Sequence, residues 1–277
     1  MSSAGVAAKE ALGKRIATAS VLAAVLLVVV LWLPPMATVV VLTALVLAGG
    51  WEWSAFLRLR SKLARTLYVA VLAALLPTAW FLTVSAAGRN TFLIVALTWW
   101  VVALGWIVFA PRRVAPWSAA LAGALALVPA WLGLVRLRWD LPDGAQWVLF
   151  SLILVWVADI GAYFIGRRFG RLRLAPEVSP GKTWEGVIGG VAASAIVAVM
   201  GSAWFHLPLV IFLPLCLAAV SFSIVGDLTE SLLKRFAGVK DSGTLFPGHG
   251  GVMDRMDSVT GAVPVLFFGL ALLGVLP

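Results

Sequence analysis

The sequence has one cysteine, two histidines and few charged residues, which make up only 12% of its 277 residues. A single cysteine excludes an internal disulfide and a cysteine-based metal site. Cys216 lies within an apolar run, which favours a packing role. Soluble globular domains have about a quarter of their residues charged, so the scarcity of charge excludes a soluble enzyme. The same composition excludes a disordered chain, because disorder requires low hydrophobicity and high charge.

Long apolar runs occupy most of the chain, which is 62% hydrophobic and has a mean hydropathy of +1.04. A helix that crosses a bilayer needs about 20 mostly apolar residues. Because the chain has room for several such runs, we predict an all-α, polytopic integral membrane protein with about nine transmembrane helices. Charges and Pro or Gly breaks predict spans over residues 16–33, 36–57, 66–84, 91–110, 117–135, 146–166, 184–204, 208–227 and 259–276. Pro34-Pro35 predicts a tight hairpin between the first two spans.

The basic residues predict the orientation of these spans. The net charge is +9, but no basic stripe stands apart from the apolar segments, so we expect no nucleic-acid partner. With a cytoplasmic N-terminus, three of the 21 basic residues (Arg89, Arg136 and Arg138) fall outside and the other 18 inside. This bias favours a cytoplasmic N-terminus and a C-terminus outside.

The acidic residues divide the chain into two parts. Only Asp140 and Asp143 of the twelve fall on the predicted outer side, and seven of the others lie between positions 177 and 257. We therefore interpret residues 1–145 as an apolar scaffold of about five spans. Residues 146–277 form the predicted catalytic region, with about four spans and cytoplasmic active-site loops.

The end of the eighth predicted span and the start of the ninth carry acids at helical spacing. One helix face carries Asp227, Glu230, Ser231 and Lys234. The same helical spacing recurs at the start of the ninth predicted span, in Asp254, Asp257 and Ser258. Carboxylates at membrane depth repel each other and are costly to bury, and a divalent cation relieves both problems. Oxygen ligands without cysteine favour Mg²⁺, or Mn²⁺, over Zn²⁺.

Groups that suit phosphate surround these acids. The nearby cations are Lys234, Arg235, Lys240 and Arg255. The glycines around His249 form a flexible loop whose N–H groups can approach an anion. A solvated, inert charge run is the alternative interpretation. The pattern favours a metal-assisted phosphate site.

A second polar segment, Ser179–Gly186, opens the seventh predicted helix. Gly181-Lys182-Thr183 is not a P-loop, because that motif needs a glycine where Pro176 stands, and no strand is predicted before it. Lys182 with free N–H groups at a helix start remains a candidate anion site, or an ordinary cap.

Two further acids lie within or near predicted spans. Asp159 is a functional candidate, with a helix–helix hydrogen bond as the alternative. Glu52, between Trp51 and Trp53, is expected to extend toward the membrane interface.

Residues 231–257 resemble the signature of phosphatidate cytidylyltransferases (CDP-diacylglycerol synthases). That pattern runs Ser-x-apolar-Lys-Arg, four residues, Lys-Asp, then Pro-x-His-Gly-Gly-x-x-Asp-Arg-x-Asp, and the chain matches it throughout. Asp-x-Gly-Ala-Tyr at 159–163, Ser-Pro-x-Lys-Thr-x-Glu-Gly at 179–186 and the Trp-Glu-Trp element also resemble family segments. Gly181 replaces the usual family lysine, so that position should not be essential.

The resemblance implies transfer of a cytidylyl group from CTP to phosphatidic acid with Mg²⁺, at a site facing the cytoplasm in the cell membrane. It implies metal ligation by Asp227, Asp254 and Asp257. The implied catalytic residues are Asp227, Lys240, Asp241, His249, Asp254 and Asp257. The implied substrate-binding residues are Asp159, Ser179, Lys182, Thr183, Glu185, Ser231, Lys234, Arg235, Gly250, Gly251 and Arg255.

Two alternatives to this function stay open at the level of sequence. Intramembrane acids also suit a cation- or proton-coupled transporter, although these acids gather at one face and no inverted repeat is visible. A CTP-dependent enzyme acting on another lipid is the nearer alternative. The resemblance also makes a homodimer plausible.

Overall fold

The computed structural model describes residues 21, 24–59, 61–243, 245 and 250–276, and this part of the chain contains nine helices and two short strands. Eight of the helices are long and apolar enough to cross a membrane, which confirms the predicted polytopic α-helical class. The first predicted span lies partly outside the described residues. The helices are α1 (24–31), α2 (Pro35–Phe56), α3 (Lys62–Leu82), α4 (Ala86–Phe109), α5 (Pro116–Asp140), α6 (Gly144–Phe169), α7 (Trp184–Trp204), α8 (Leu209–Ala237) and α9 (Met253–Leu272).

Prolines and short polar side chains set the helix starts. Pro34 adopts an extended conformation before Pro35, which begins α2. The Thr38 hydroxyl of α2 donates to the Val29 carbonyl of α1 at 3.1 Å, so the two helices form the predicted tight hairpin. The Ser61 hydroxyl accepts the Ala64 N–H at 3.0 Å before α3, and Thr183 caps α7 in the same way.

The segment between α6 and α7 adds a short β-hairpin to the predicted all-α bundle. Strands β1 (Arg173–Ala175) and β2 (Ser179–Thr183) form an antiparallel pair, with Arg173 opposite Thr183 and Ala175 opposite Ser179. A strand therefore does precede the Lys182 segment, contrary to prediction. The pairing satisfies backbone groups that a loop would leave open, and the short strands lack a long alternating pattern that sequence could reveal.

The helices pack around α5, whose residues from Ala126 to Leu137 are buried. It packs against α2, α3, α4, α6 and α9. Small residues bring the other helices together, as in many membrane bundles. A Cβ on Gly190 of α7 would lie 2.7 Å from the Ala158 carbonyl of α6, so these two helices touch through their backbones.

Contacts between helix ends and loops agree with the predicted alternation of the spans. At one end, the Arg58 guanidinium donates to the Phe236 carbonyl and Arg112 pairs with Glu177 at 3.1 Å. At the other end, Arg138 donates to the Leu33 carbonyl at 3.2 Å, and Trp204 donates to Gln146 at 2.9 Å. Loops assigned to one side of the membrane thus meet at one end of the bundle. Which end faces the cytoplasm stays a prediction.

Candidate active site

A cavity of about 690 Å³ opens at the end of the bundle where α6, the β-hairpin, α7, α8 and α9 converge. Its lining combines apolar residues and glycines of α6, α7 and α8 with charged residues from α6, α8, α9 and the hairpin. Four carboxylates and three cations line it: Asp159, Asp227, Asp254, Asp257, Arg167, Arg173 and Lys182. This combination suits a phosphate-bearing ligand with an apolar portion.

Asp227 and Asp257 come together because α8 and α9 approach without side chains between them. A Cβ on Gly226 would lie 2.5 Å from the Asp257 carbonyl oxygen and 3.1 Å from the Gly261 nitrogen. Asp227 follows Gly226 directly, and Asp257 lies one turn before Gly261. Both carboxylates line the same cavity.

Asp254, in the first turn of α9, is held by four groups. Its Oδ1 lies 2.9 Å from Lys234 Nζ, and its Oδ2 accepts the N–H groups of Ser242 (3.0 Å) and Gly251 (2.8 Å). The Ser242 hydroxyl oxygen lies 2.9 Å from the same Oδ2. These contacts fix the orientation of the Asp254 carboxylate before any ligand binds.

Lys234 also neutralises a deeply buried acid. Its Nζ lies 3.2 Å from Oε1 of Glu230, whose side chain is only 1% exposed. Neither Glu230 oxygen has an aligned hydrogen bond among the described residues, so the ion pair with Lys234 is the contact that compensates its burial. One cation thus serves two carboxylates on neighbouring helices.

Lys182 forms the second ion pair of the cavity, with Asp227. It reaches the cavity from β2, next to the N-cap of α7. The Ser231 hydroxyl lies 3.4 Å from Asp227 Oδ1, and the Ser258 hydroxyl donates to Asp159 at 3.3 Å. The structure therefore brings these predicted residues into one site.

Other predicted residues hold the hairpin in place. The Thr183 hydroxyl accepts the Gly186 N–H at 3.2 Å, and Glu185 accepts the Leu172 N–H at 3.2 Å. Ser179 pairs in the strand register, and Arg235 Nε donates to the Val178 carbonyl at 3.4 Å. Their contacts position the segment that carries Lys182.

The remaining predicted residues lie in the loop between α8 and α9 and in the first turn of α9. Lys240, Asp241 and Arg255 are exposed, and none of the three is among the described residues that line the cavity. Gly250 and Gly251 lie against the Asp254 carboxylate. His249 falls outside the described residues.

Sequence reasoning missed several contributors. Arg167 and Arg173 line the cavity. In the sequence they counted only as basic residues that predict the orientation of the spans. The expectation for Glu52 was wrong, because its side chain turns inward and is only 8% exposed. Its Oε2 accepts the Met253 N–H at 2.9 Å. The only sequence feature that singled out Glu52 was its position between two tryptophans.

The carboxylates suit a hard divalent cation in their chemistry. All the donors are oxygens, which Mg²⁺ and Mn²⁺ prefer. Among the described residues, however, no three histidine, cysteine or acidic side chains already form a ready-made metal-binding group. Lys182 and Lys234 instead take up carboxylate oxygens of Asp227 and Asp254.

A polytopic bundle with opposed charges in a cavity at one end has the organisation of a membrane enzyme for phosphate chemistry. Residues 13–273 match the model of the cytidylyltransferase family, and the chain belongs to that family. Similar proteins include a phosphatidate cytidylyltransferase of Pseudomonas aeruginosa, 42% identical over 80% of this chain and 83% of the relative. Another, from Haemophilus influenzae, is 40% identical over 91% of this chain and 96% of the relative.

Proposed function

We propose that the protein is a phosphatidate cytidylyltransferase, which transfers the cytidylyl group of CTP to phosphatidic acid and releases pyrophosphate. The family membership and the names of the full-length relatives support this reaction. The observation that carries it is the cavity, because cations, carboxylates and apolar helix surfaces meet there. A substrate that is part lipid and part phosphate needs such a boundary.

The reaction joins two phosphates in one displacement. An oxygen of the lipid phosphate attacks the α-phosphorus of CTP, the bond to the β-phosphate oxygen breaks, and pyrophosphate leaves with that electron pair. A phosphate monoester loses its second proton at a pH of about 6, so the nucleophile needs no strong general base. Positioning and neutralisation of charge should therefore dominate catalysis.

The cations of the cavity are the groups that bind phosphate in this proposal. Lys182, Arg167 and Arg173 line the cavity and can meet phosphate oxygens of CTP or of the lipid. Lys234 is held by Glu230 and Asp254, so its role is to fix Asp254. Lys240 and His249 of the neighbouring loop and Arg255 of the first turn of α9 remain proposed contributors.

Mg²⁺ fits the donor chemistry of the site, and Asp227, Asp254 and Asp257 are the residues that would hold it. When bound, the metal would neutralise phosphate charge and polarise the phosphorus–oxygen bonds. Lys182 pairs with Oδ2 of Asp227, so an arriving triphosphate that offers Lys182 a replacement partner would free this oxygen for the metal.

The proposal extends to location. We propose that the site faces the cytoplasm in the cell membrane, where CTP is available, with residues 1–145 as scaffold. The transporter alternative is disfavoured because the charges that line the cavity gather at one end of the bundle. A homodimer stays a prediction.

The test is an assay of the purified protein in detergent micelles with CTP labelled at the α-phosphate, phosphatidic acid and Mg²⁺. We expect label in the lipid phase, equimolar pyrophosphate, and loss of both with EDTA and in Asp257→Asn. Asp143→Asn, an exposed acid at the other end of α6, is the matched control and should retain activity. Label that enters only a polyprenyl phosphate would favour the other-lipid alternative, and absence of label from folded protein would exclude the reaction.

A further inference from the structure

Glu52 connects the amino-terminal helices to the loop that carries the proposed active site. It lies near the end of α2, and its Oε2 accepts the Met253 N–H at 2.9 Å at the start of α9. The Ser242 hydroxyl lies 3.0 Å from the same oxygen. A carboxylate from α2 thus holds a helix start and a loop that follow it by about two hundred residues.

Two glycines close around the Glu52 carboxylate. A Cβ on Gly251 would lie 2.5 Å from Glu52 Cδ, and a Cβ on Gly243 would lie 2.7 Å from the same carbon. Both residues must therefore lack a side chain for the loop to pass on either side of the carboxylate. Gly251, which the sequence assigned to a substrate anion, thus already lies against an anionic group of the protein itself.

The contacts of Glu52 lead directly to Asp254. The Ser242 hydroxyl oxygen is 3.0 Å from Glu52 Oε2 and 2.9 Å from Asp254 Oδ2, and it has one proton to share between them. The Ser242 backbone N–H also donates to Asp254. Moving Ser242 would therefore change two of the contacts that orient the Asp254 carboxylate.

A second contact holds α2 to the same region. The Arg58 guanidinium donates to the Phe236 carbonyl and lies 4.1 Å from the centre of the Phe236 ring. A cation at the C-terminal end of α8 also complements the helix dipole. Glu52 and Arg58 thus bind the start of α9 and the end of α8, the two helices that carry the cavity's carboxylates.

We propose that Glu52 is a positioning residue for the reaction: it fixes the α8–α9 loop through Ser242 and Met253 and so sets the orientation of Asp254. This inference rests on the proposed function for its catalytic readout. Glu52 is not among the described residues that line the cavity, so it acts through its neighbours and not on substrate. The apolar amino-terminal half then contributes to catalysis through α2.

The first test compares Glu52→Gln and Glu52→Ala with the control Asp140→Asn, which removes a half-buried carboxylate paired with Arg136 in α5. We expect kcat per folded molecule to fall about tenfold for Gln and about a hundredfold for Ala, as losing charge-assisted hydrogen bonds implies. KM for CTP should change less than about threefold, because Glu52 does not bind substrate. Asp140→Asn should keep kcat.

Two results would overturn the inference. One is a kcat of Glu52→Ala within twofold of wild type; the other is a loss of folded protein with unchanged activity per folded molecule. Should both Glu52 variants fail to fold, Ser242→Ala decides, because it removes only the shared hydroxyl. We expect a fall of several-fold in its kcat, and an unchanged kcat refutes the inference.

Hydrogen–deuterium exchange separates this inference from the proposed function. We expect faster exchange at residues 250–254 in Glu52→Gln, with unchanged exchange across α5. This measurement needs no substrate, so it holds even if the wild-type protein labels no lipid. Unchanged exchange at residues 250–254 would refute the positioning role whatever the enzyme assay shows.

Discussion

Gly226 of α8 and Gly261 of α9 leave no side chain between the two helix backbones. A Cβ on Gly226 would lie 3.1 Å from the Gly261 nitrogen and closer still to the Asp257 carbonyl. Since Asp227 follows Gly226 and Asp257 precedes Gly261 by one turn, this approach sets the separation of two carboxylates of the cavity. Geometry at the site thus depends on residues that carry no functional group.

Gly226→Ala should therefore impair the reaction through helix spacing. The added methyl meets backbone atoms that cannot rotate away, so α8 and α9 must separate, at a cost of about 1–3 kcal/mol in stability. We expect activity to fall at least tenfold and the thermal midpoint in detergent to fall as well. Gly105→Ala in α4, where a Cβ would meet nothing within 4 Å, is the control and should change neither. Full activity in Gly226→Ala would show that the spacing is not critical.

Lys234 should contribute to folding as well as to the site. Replacing it with methionine leaves Glu230 buried without a counter-charge, and breaking a buried pair in this way costs about 3–5 kcal/mol. The double variant Lys234→Met with Glu230→Gln removes that charge. We expect denaturation to show a large loss of stability in the single variant and substantial recovery in the double variant.

The activity of the same two variants separates the roles of Lys234. Because Lys234 also holds Asp254, the double variant should remain impaired in catalysis even though it folds. Recovery of activity along with stability would mean that Lys234 acts only as the partner of Glu230.

The length of the apolar runs predicted the membrane spans that the structure describes, because each helix that crosses a bilayer needs about 20 mostly apolar residues. The same reasoning missed the strands at Arg173–Ala175 and Ser179–Thr183, since their pairing depends on backbone contacts within a short connection. Helical spacing likewise predicted that Asp227 and Lys234 share a helix, and the chain runs α8 on to Ala237.

The site residues also differ in whether the local sequence could predict them. Asp254 and Lys182 belong to sequence motifs that predicted a site for them, and both line the cavity in the structure. Glu52 could not be assigned in this way, because its partners Ser242 and Met253 lie in a different part of the chain. Local sequence reports which groups are available, and only packing reports which of them meet across long separations.

Lys182 offers the most direct test of how the cavity receives CTP. In the structure its ammonium group pairs with Asp227. In the proposed reaction this group binds a phosphate oxygen of CTP instead. Lys182→Met removes a charge-assisted contact of about 1.5–3 kcal/mol, so kcat/KM for CTP should fall about ten- to a hundredfold. Lys182→Arg keeps the charge and should lose less. Lys62→Met, at an exposed position that begins α3, is the matched control and should retain wild-type kinetics.

A double-mutant cycle with Asp227→Asn tests whether Lys182 and Asp227 act together. If they do, the double variant should lose clearly less than the product of the two single losses, since each single change already disrupts the same pair. Strictly multiplicative losses would mean that the two residues act independently and that the ion pair has no part in the reaction. A wild-type kcat/KM in Lys182→Met would remove Lys182 from the site altogether. The cycle therefore decides whether the contact between β2 and α8 takes part in substrate binding or has no role in the reaction.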